Sequence, residues 1–444
     1  MTKKTYKTVI IGLGETGLSV ARYLAKKDAT FAVFDTRDSP PKLDDFKSEM
    51  PGVEIALGSF NDHLLNGTNR IIVSPGVPLS HPLLLQAKKR GIRIDSDIGI
   101  FYEVAAAPII GITGSNGKTT VITLLEAMLG DSALEIATGG NIGAPALDLL
   151  DGKRPDYYLL ELSSFQLEAT QHLKTKVSSI LNITPDHIDR HVDFDSYVRA
   201  KQRLYKDTET VVFNRHDQNT YSNSISTKLS FGLDKPNDDS EYGISSDRGV
   251  TWLCRGTERL VAAGDLHLYG QHNLLNALAA LAIIECLEIP LHNLIPTLKN
   301  FKGLPHRTNL IFSKDDINWY DDSKATNVGA TLAALQSCSR KNILILGGQS
   351  KGADFSILRE AVLLHANAVI LLGEAAREIE EALFGAVPFF HAQDMQSAVS
   401  KARELVRPGE NVLLSPACAS LDMYQDYIHR GNTFIKYVEE QSDG

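Results

Sequence analysis

Cysteine is scarce in this chain. There are four among 444 residues, at Cys254, Cys286, Cys338 and Cys418, far apart and with no Cys-x-x-Cys pair. That excludes a disulfide framework or a cysteine-rich zinc site, and it fits a reducing cytoplasm. Long apolar runs are missing as well. None approaches the roughly 18 residues of a bilayer-spanning helix, and one of the longest, residues 277–284, reads as a buried helix. The amino-terminal lysines lead through a few apolar residues straight into a glycine loop, which is unlike a cleaved signal peptide. There is no basic excess: Lys plus Arg is 45 and Asp plus Glu is 54, a formal net charge of −9. Nucleic-acid binders usually carry a basic domain, so neither a nucleic-acid nor a membrane partner is expected. Small anionic ligands remain open, because they need only a local cluster of positive charge. Internal repeats and low-complexity linkers are also absent.

The remaining composition is that of a globular protein, with 22% charged and 43% hydrophobic residues. At about 150 residues per domain, the length suggests about three domains. One pattern recurs along the chain. A short apolar or β-branched run ends in Gly, Ser, Thr, Asn or Asp, and a helix-like stretch follows. It occurs at residues 8–12, 31–35, 70–76, 108–114, 157–163, 177–184, 211–214, 341–348, 368–373 and 411–415. Such alternation predicts parallel α/β sheets, whose ligands bind beyond the carboxyl ends of the strands. The polar, acidic stretch 234–247 reads as a loop or hairpin inside a domain. Turns near 95–99 and 303–305 are candidate boundaries.

Two glycine loops stand out. The first, Gly12-Leu13-Gly14-Glu15-Thr16-Gly17, is G-x-G-x-x-G after a strand. Its amides would approach a diphosphate closely. Asp35 ends the next strand, where an acid can accept from a ribose or base donor, and Arg37 suits an anion. A tight strand-to-helix turn is the plainer reading. The second loop, Gly111-Ile112-Thr113-Gly114-Ser115-Asn116-Gly117-Lys118-Thr119-Thr120, also follows a strand. Amides in such a loop cradle phosphates, Lys118 can reach the β/γ-phosphates and Thr119 can hold Mg²⁺. Ile112 occupies the place of the first glycine in a strict Walker sequence, so the loop is a variant.

Further polar clusters follow the central strands. Glu161-Leu162-Ser163-Ser164-Phe165-Gln166 offers a hard oxygen for magnesium. Asp186-His187-Ile188-Asp189-Arg190-His191 packs two His and two Asp into six positions. Tyr197, Lys201 and Tyr205 share a helix face by their spacing of four. Read alone, Lys201 is equally an ordinary solvated lysine. In Gly270-Gln271-His272-Asn273-Leu274-Leu275-Asn276, either Asn serves as a helix cap or contacts a base.

These blocks resemble the Mur ligases of bacterial cell-wall synthesis, over nearly the whole chain from Gly12 to Gly431. The family's phosphate loop is similar to Thr113-Gly114-Ser115-Asn116-Gly117-Lys118-Thr119. Leu304-Pro305-His306-Arg307, Asp322-Ser323-Lys324-Ala325-Thr326-Asn327 and Ser415-Pro416-Ala417-Cys418-Ala419-Ser420-Leu421-Asp422 point to its D-glutamate-adding branch. The resemblance implies three α/β domains: a Rossmann-like one over 1–96 for the UDP substrate, a P-loop one over 97–303 for ATP, and a Rossmann-like one over 304–444 for the amino acid. It implies that Gly14, Thr16, Asp35, Thr36, Arg37, Ser74, Pro75, Gly76, Asn141, Ser163 and Gln166 meet the UDP-sugar-peptide. ATP would meet Gly114, Ser115, Asn116, Gly117, Lys118, Thr119, Thr120, Asn273, Asn276, Arg307 and Asp322. Lys324, Thr326, Lys351, Ser420, Leu421 and Tyr427 would face D-glutamate.

Two Mg²⁺ ions would be served by Thr119, Glu161, His187 and Lys201, the last as a carbamate; Lys118, Glu161, His187 and Lys201 would be the catalytic set. The substrates implied are ATP, D-glutamate and UDP-N-acetylmuramoyl-L-alanine, handled by a cytoplasmic monomer. There are departures: Glu15 places an acid beside a diphosphate, and Tyr424 and Tyr427 stand where Phe is usual. Competing readings are another amide ligase of the superfamily, including folylpolyglutamate synthetase, a dinucleotide-dependent oxidoreductase, and a nucleotide-sensing protein without catalysis. About a hundred residues before the phosphate loop count against the folate enzymes. An oxidoreductase would leave Lys118 and the His/Asp cluster idle.

Overall fold

A computed structural model describes residues 6–59, 65–188, 190–223, 226–268 and 270–440. Residues 1–5 of the amino-terminal stretch and Asp189 of the His/Asp cluster lie outside them. The described chain forms three sheets in sequence order. In the first, β1 (Thr8–Ile11), β2 (Phe31–Asp35), β3 (Glu54–Leu57), β4 (Arg70–Val73) and β5 (Arg93–Asp95) are arranged β3-β2-β1-β4-β5, all parallel. Successive residues of a strand face opposite ways. Accordingly Ile10, Val33 and Ile72 enter one core while Val9, Ala32 and Ile71 enter another. A sheet buried on both faces needs central strands that are apolar, and β1, β2 and β4 read that way, whereas the edge strands β3 and β5 are partly polar.

The second sheet holds β6 (Ile109–Thr113), β7 (Ile136–Gly140), β8 (Tyr157–Glu161), β9 (Lys174–Ile180), β10 (Asp207–Asn214), β11 (Thr227–Phe231), β12 (Glu241–Asp247), β13 (Val250–Arg255) and β14 (Glu258–Ala262). Their order is β14-β13-β12-β11-β10-β9-β6-β8-β7. Pairing is parallel from β7 to β12 and antiparallel beyond. The acidic stretch 234–247 is therefore a loop only in its first half. Its second half is β12, joined to β13 by Arg248 and Gly249 at φ 50° and 80°. Two successive left-handed residues are what a tight hairpin turn requires. The apolar run 277–284 lies in the helix Gln271–Glu285, fully buried against the helix Lys118–Gly130 and the strands.

The third sheet contains β15 (Asn309–Lys314), β16 (Ile317–Asp321), β17 (Asn342–Gly347), β18 (Ala366–Leu372), β19 (Phe389–His391) and β20 (Asn411–Leu414), in the order β15-β16-β20-β17-β18-β19. Only the edge strand β15 is antiparallel. It too is buried on both faces, with Leu344, Leu346 and Leu413 on one and Ile343, Ile345 and Leu414 on the other. Among the described residues no helix is long and apolar enough to cross a membrane.

The first glycine loop shows why its glycines are needed. A Cβ on Gly17 would lie 1.9 Å from the Gly12 carbonyl oxygen, whereas one on Gly14 would meet nothing within 4 Å. Gly17→Ala therefore forces the helix Glu15–Lys26 away from β1. We expect it to cost about 1–3 kcal/mol of stability, the usual range for overpacking. Denaturant unfolding should show a lower midpoint for Gly17→Ala and an unchanged one for Gly14→Ala.

Candidate functional site

The carboxyl ends of the parallel strands open onto two clefts. The first lies between the first sheet and the middle domain. It is lined by Gly14, Glu15 and Thr16 after β1, Asp35, Thr36 and Arg37 after β2, and Ser74, Pro75 and Gly76 after β4. Gly140, Asn141, Gly143 and Gln166 line the opposite wall. Asp35 is 2% exposed, and its oxygens accept from the Leu13 amide at 2.7 Å and the Arg37 guanidinium at 2.8 and 2.9 Å. Burial alone would raise this carboxyl; the Arg37 and amide hydrogen bonds outweigh it and hold it below the usual range. Asp35 thus braces the glycine loop and fixes Arg37 at the rim. The acid in that loop, Glu15, is paired with Lys42 at 2.7 Å. Ser163 is not among the lining residues. Its hydroxyl accepts from the Gln166 amide and caps the helix Ser164–Ala169, and Gln166 answers in a capping box.

The second cleft lies between the middle and carboxy-terminal domains. Asn116, Gly117, Thr120, Asn273, Asn276, Arg307, Asp322 and Lys324 all line it. The phosphate-binding type of loop follows β6, with Gly117 in the left-handed region at φ 83° as the cap of the helix Lys118–Gly130. A Cβ there would meet the Asn276 oxygen at 2.4 Å, so glycine lets the two helices converge at the cleft. Gly270, rather than either Asn, is the cap of the helix Gln271–Glu285, leaving Asn273 and Asn276 to face the cavity.

Behind the loop two amines share one oxygen. Lys118 Nζ donates to the Gly114 and Ser115 carbonyls at 2.7 and 3.0 Å. Lys201 Nζ donates to the same Gly114 carbonyl at 2.9 Å and to Thr113 Oγ1 at 3.2 Å. Lys201 is 2% exposed, not a solvated lysine, and its amine lies 4.8 Å above the Tyr197 ring. Tyr197 in turn bonds Ser115 through its hydroxyl at 2.9 Å. Burial, then the adjacent Lys118 charge, pulls Lys201 well below the usual lysine range. Burial also lowers Lys118, opposed by Glu161 and Asp186. Tyr205, the third member of the spacing, falls in the next short turn and donates toward the backbone of β10.

Glu161 ends β8, 3% exposed. It accepts from Thr119 Oγ1 at 3.0 Å and from Asn141 Nδ2 at 2.9 Å. Hard oxygens from Glu161 and Thr119 suit Mg²⁺, which takes one or two protein oxygens and completes its shell with phosphate and water. Among the described residues no three His, Cys, Asp or Glu side chains cluster as a self-sufficient cage. His187, at φ 54°, sits 3.7 Å from the Asp186 carboxylate and edge-on to Phe165. His191 is a packing residue, 4% exposed, stacked on Phe165 and bonded to Ser164.

The carboxy-terminal domain contributes its own loops. Asp322 accepts from the Thr308 amide, the Thr308 hydroxyl and the Ser415 hydroxyl at 2.7–3.2 Å. Burial, with help from the Asp321 charge, pushes its carboxyl up to about 7. Lys324 lies 3.8 Å over the Tyr427 ring, and burial with the Arg307 and Lys118 charges pushes its amine down to about 8. Thr326 donates its amide to the Lys324 carbonyl. Lys351 is exposed at φ 53°, Ser420 is buried and Leu421 is exposed; these three do not line the second cleft.

Sequence reasoning missed the bridge between the domains. The Asn327 amide donates to Asn116 Oδ1 at 3.2 Å and to Asp186 Oδ2 at 3.0 Å, while its oxygen caps the helix Val328–Ser337. It also missed Asn182, which exchanges two hydrogen bonds with the Asn116 backbone. Asn327 lay inside a block already noted. Asn182 carried no signal, because its role is set by a partner 66 residues away.

Family models match the chain in three consecutive parts. They are a Mur ligase MurD-like N-terminal domain over residues 6–96, a Mur ligase middle domain over 112–284 and a Mur ligase glutamate ligase domain over 306–418. Proteins named UDP-N-acetylmuramoylalanine–D-glutamate ligase from Nitrosococcus oceani, Marinobacter nauticus and Pseudomonas aeruginosa are 47%, 44% and 43% identical. Those matches cover 98%, 98% and 97% of this chain and 96%, 98% and 97% of the relatives. Among solved structures, a pseudomurein peptide ligase type C from Methanothermus fervidus superposes with a TM-score of 0.63 at 21% identity, covering 98% of this chain and 99% of that one. A UDP-N-acetylmuramate–alanine ligase from Thermotoga maritima gives 0.57 at 18%, covering 99% and 100%. At those identities the structural likeness speaks for the fold.

The bridge at Asn327 generates a prediction. Asn327→Asp keeps the helix cap but sets a carboxylate against Asp186. We expect small-angle scattering to show a larger radius of gyration than wild type, with an unchanged circular-dichroism spectrum. An unchanged radius would mean that this contact does not hold the domains together.

Proposed function

The chain belongs to the Mur ligase family, and from that premise we propose that it adds D-glutamate to UDP-N-acetylmuramoyl-L-alanine, with ATP as co-substrate, in peptidoglycan precursor synthesis. The observation that carries this reading is the identity of 42–47%, over nearly full length, with relatives named for that reaction. The division of labour follows the domains, UDP-sugar mainly at 1–96, ATP mainly at 97–303 and the amino acid at 304–444, with the first two clefts completed by residues of the next domain. We take the active unit to be a monomer, as the family resemblance implies. Soluble nucleotide substrates and four unpaired cysteines suit the cytoplasm.

A carboxylate is a poor electrophile, so the alanyl carboxylate must first be activated. The phosphate loop holds the ATP phosphates, and Lys118 neutralises charge on the transferring group. Phosphoryl transfer depends mainly on such positioning and charge neutralisation. Glu161 and Thr119 offer oxygens for Mg²⁺, with His187 and a carbamylated Lys201 serving a second ion; bound magnesium supplies further neutralisation of the crowded anions. The lowered amine of Lys201 supports the carbamate, since only a neutral amine reacts with CO₂. Gln166, Asn141 and Arg37 hold the UDP-sugar-peptide. Lys324, Thr326, Lys351, Ser420, Leu421 and Tyr427 hold D-glutamate, whose amine attacks the acyl phosphate. Phosphate then leaves from a tetrahedral intermediate.

The direct test is phosphate release with UDP-N-acetylmuramoyl-L-alanine and ATP, comparing D-glutamate with L-glutamate, L-lysine and diaminopimelate. Turnover with D-glutamate alone is the expected result, and turnover only with another amino acid would overturn the substrate assignment. In the same assay Lys118→Ala should lose about 10²–10³ in rate, the usual cost of one preorganised stabiliser, while remaining folded. Lys201→Ala should be inactive, and added short-chain carboxylic acids should partly restore it. Full activity in that variant would remove Lys201 from the mechanism.

A further inference from the structure

Arg430, on the helix Tyr427–Glu440, is 2% exposed. Among the described residues its guanidinium has no carboxylate within ion-pair distance; its partners are a hydroxyl and backbone carbonyls. Nε donates to Ser323 Oγ at 3.0 Å and Nη2 to the Ser323 carbonyl at 2.8 Å. Both terminal nitrogens donate to the Cys418 carbonyl at 3.1 Å, and Nη1 reaches the Gly347 carbonyl at 3.5 Å. A buried cation without an acid partner is costly, so its place needs a reason.

The acceptors supply one. Ser323, Gly347 and Cys418 lie where β16, β17 and β20 end, three neighbouring strands of the third sheet. Each loop then carries residues assigned above to the amino acid: Lys324 and Thr326 after Ser323, Lys351 after Gly347, Ser420 and Leu421 after Cys418. The packing is close, since a Cβ on Gly348 would lie 3.2 Å from Nη1. A planar fork with five donors ties three loops at fixed spacing, which a single ammonium cannot do. Its fixed positive charge also suits a ligand with two carboxylates.

We propose that Arg430 is the positioning residue of the amino-acid subsite, holding the three loops at the spacing that D-glutamate requires. This rests on the reading of the site as a D-glutamate ligase. The test is steady-state kinetics of Arg430→Lys and Arg430→Ala, varying each substrate in turn. The expected result is a KM for D-glutamate at least tenfold above wild type in both. KM for ATP and for the UDP-substrate should stay within about twofold, and ethylguanidine should recover part of the loss in Arg430→Ala. A uniform rise in all three KM values, or none, would overturn the proposal. Should Arg430→Ala fail to fold, Arg430→Lys, which keeps the positive charge but not the fork, decides alone. The wild type separates the two readings. If it shows no D-glutamate-dependent phosphate release, both fail; if it does and Arg430→Lys matches it, only the role of Arg430 fails.

Discussion

One carbonyl oxygen, that of Gly114, accepts from both Lys118 and Lys201. Two lysines brought this close repel each other, and the repulsion falls on the more buried one, Lys201. The middle domain is arranged around this crowding. Tyr197 places its ring beneath Lys201 and its hydroxyl on Ser115 of the loop. Glu161 and Asp186 oppose the positive charge from β8 and from the loop after β9. Concentrated cationic character at the carboxyl end of a parallel sheet, beside a helix start, suits polyanionic ligands. The −9 overall charge describes the solvated surface and says little about this point.

The second constraint is that both clefts lie between domains. Neither is complete on one sheet. Arg37 and Ser74 face Asn141 and Gln166 across the first, and Asn116 and Gly117 face Arg307 and Lys324 across the second. Asn327 joins the two domains beside the second cleft while capping its own helix. The carboxy-terminal loops add positive charge of their own, so the charged groups on the two walls of the cleft act on one another. Lys324 is lowered by burial and then by Arg307 and Lys118, the last from the neighbouring domain.

Much of this was legible in the sequence. The pattern of an apolar run ending in a small or polar residue located β1, β2, β4, β6, β8, β17, β18 and β20, because strands buried on both faces are largely apolar. The phosphate loop was legible because glycine is forced where Gly117 meets Asn276. What escaped was set by tertiary partners. Strands β3, β5 and β7 are short and half polar, and β12 is acidic, so their pairing rather than their composition makes them strands. Lys201 reads as solvated until Gly114 and Tyr197 are placed around it. Asp35 reads as a ribose acceptor, yet its oxygens are engaged by Leu13 and Arg37. The hydrogen bonds of Asn182 and Arg430 span long separations that no local motif records.

On the proposed function, ATP phosphorylates the alanyl carboxylate at this cationic centre. Oxygen transfer tests it most directly. UDP-N-acetylmuramoyl-L-alanine would be prepared with ¹⁸O in the alanyl carboxylate and turned over with ATP and D-glutamate, and the released phosphate analysed by mass spectrometry. An acyl-phosphate route delivers one ¹⁸O from the carboxylate to each phosphate. Phosphate free of the label, at full amide formation, would rule out the acyl-phosphate step.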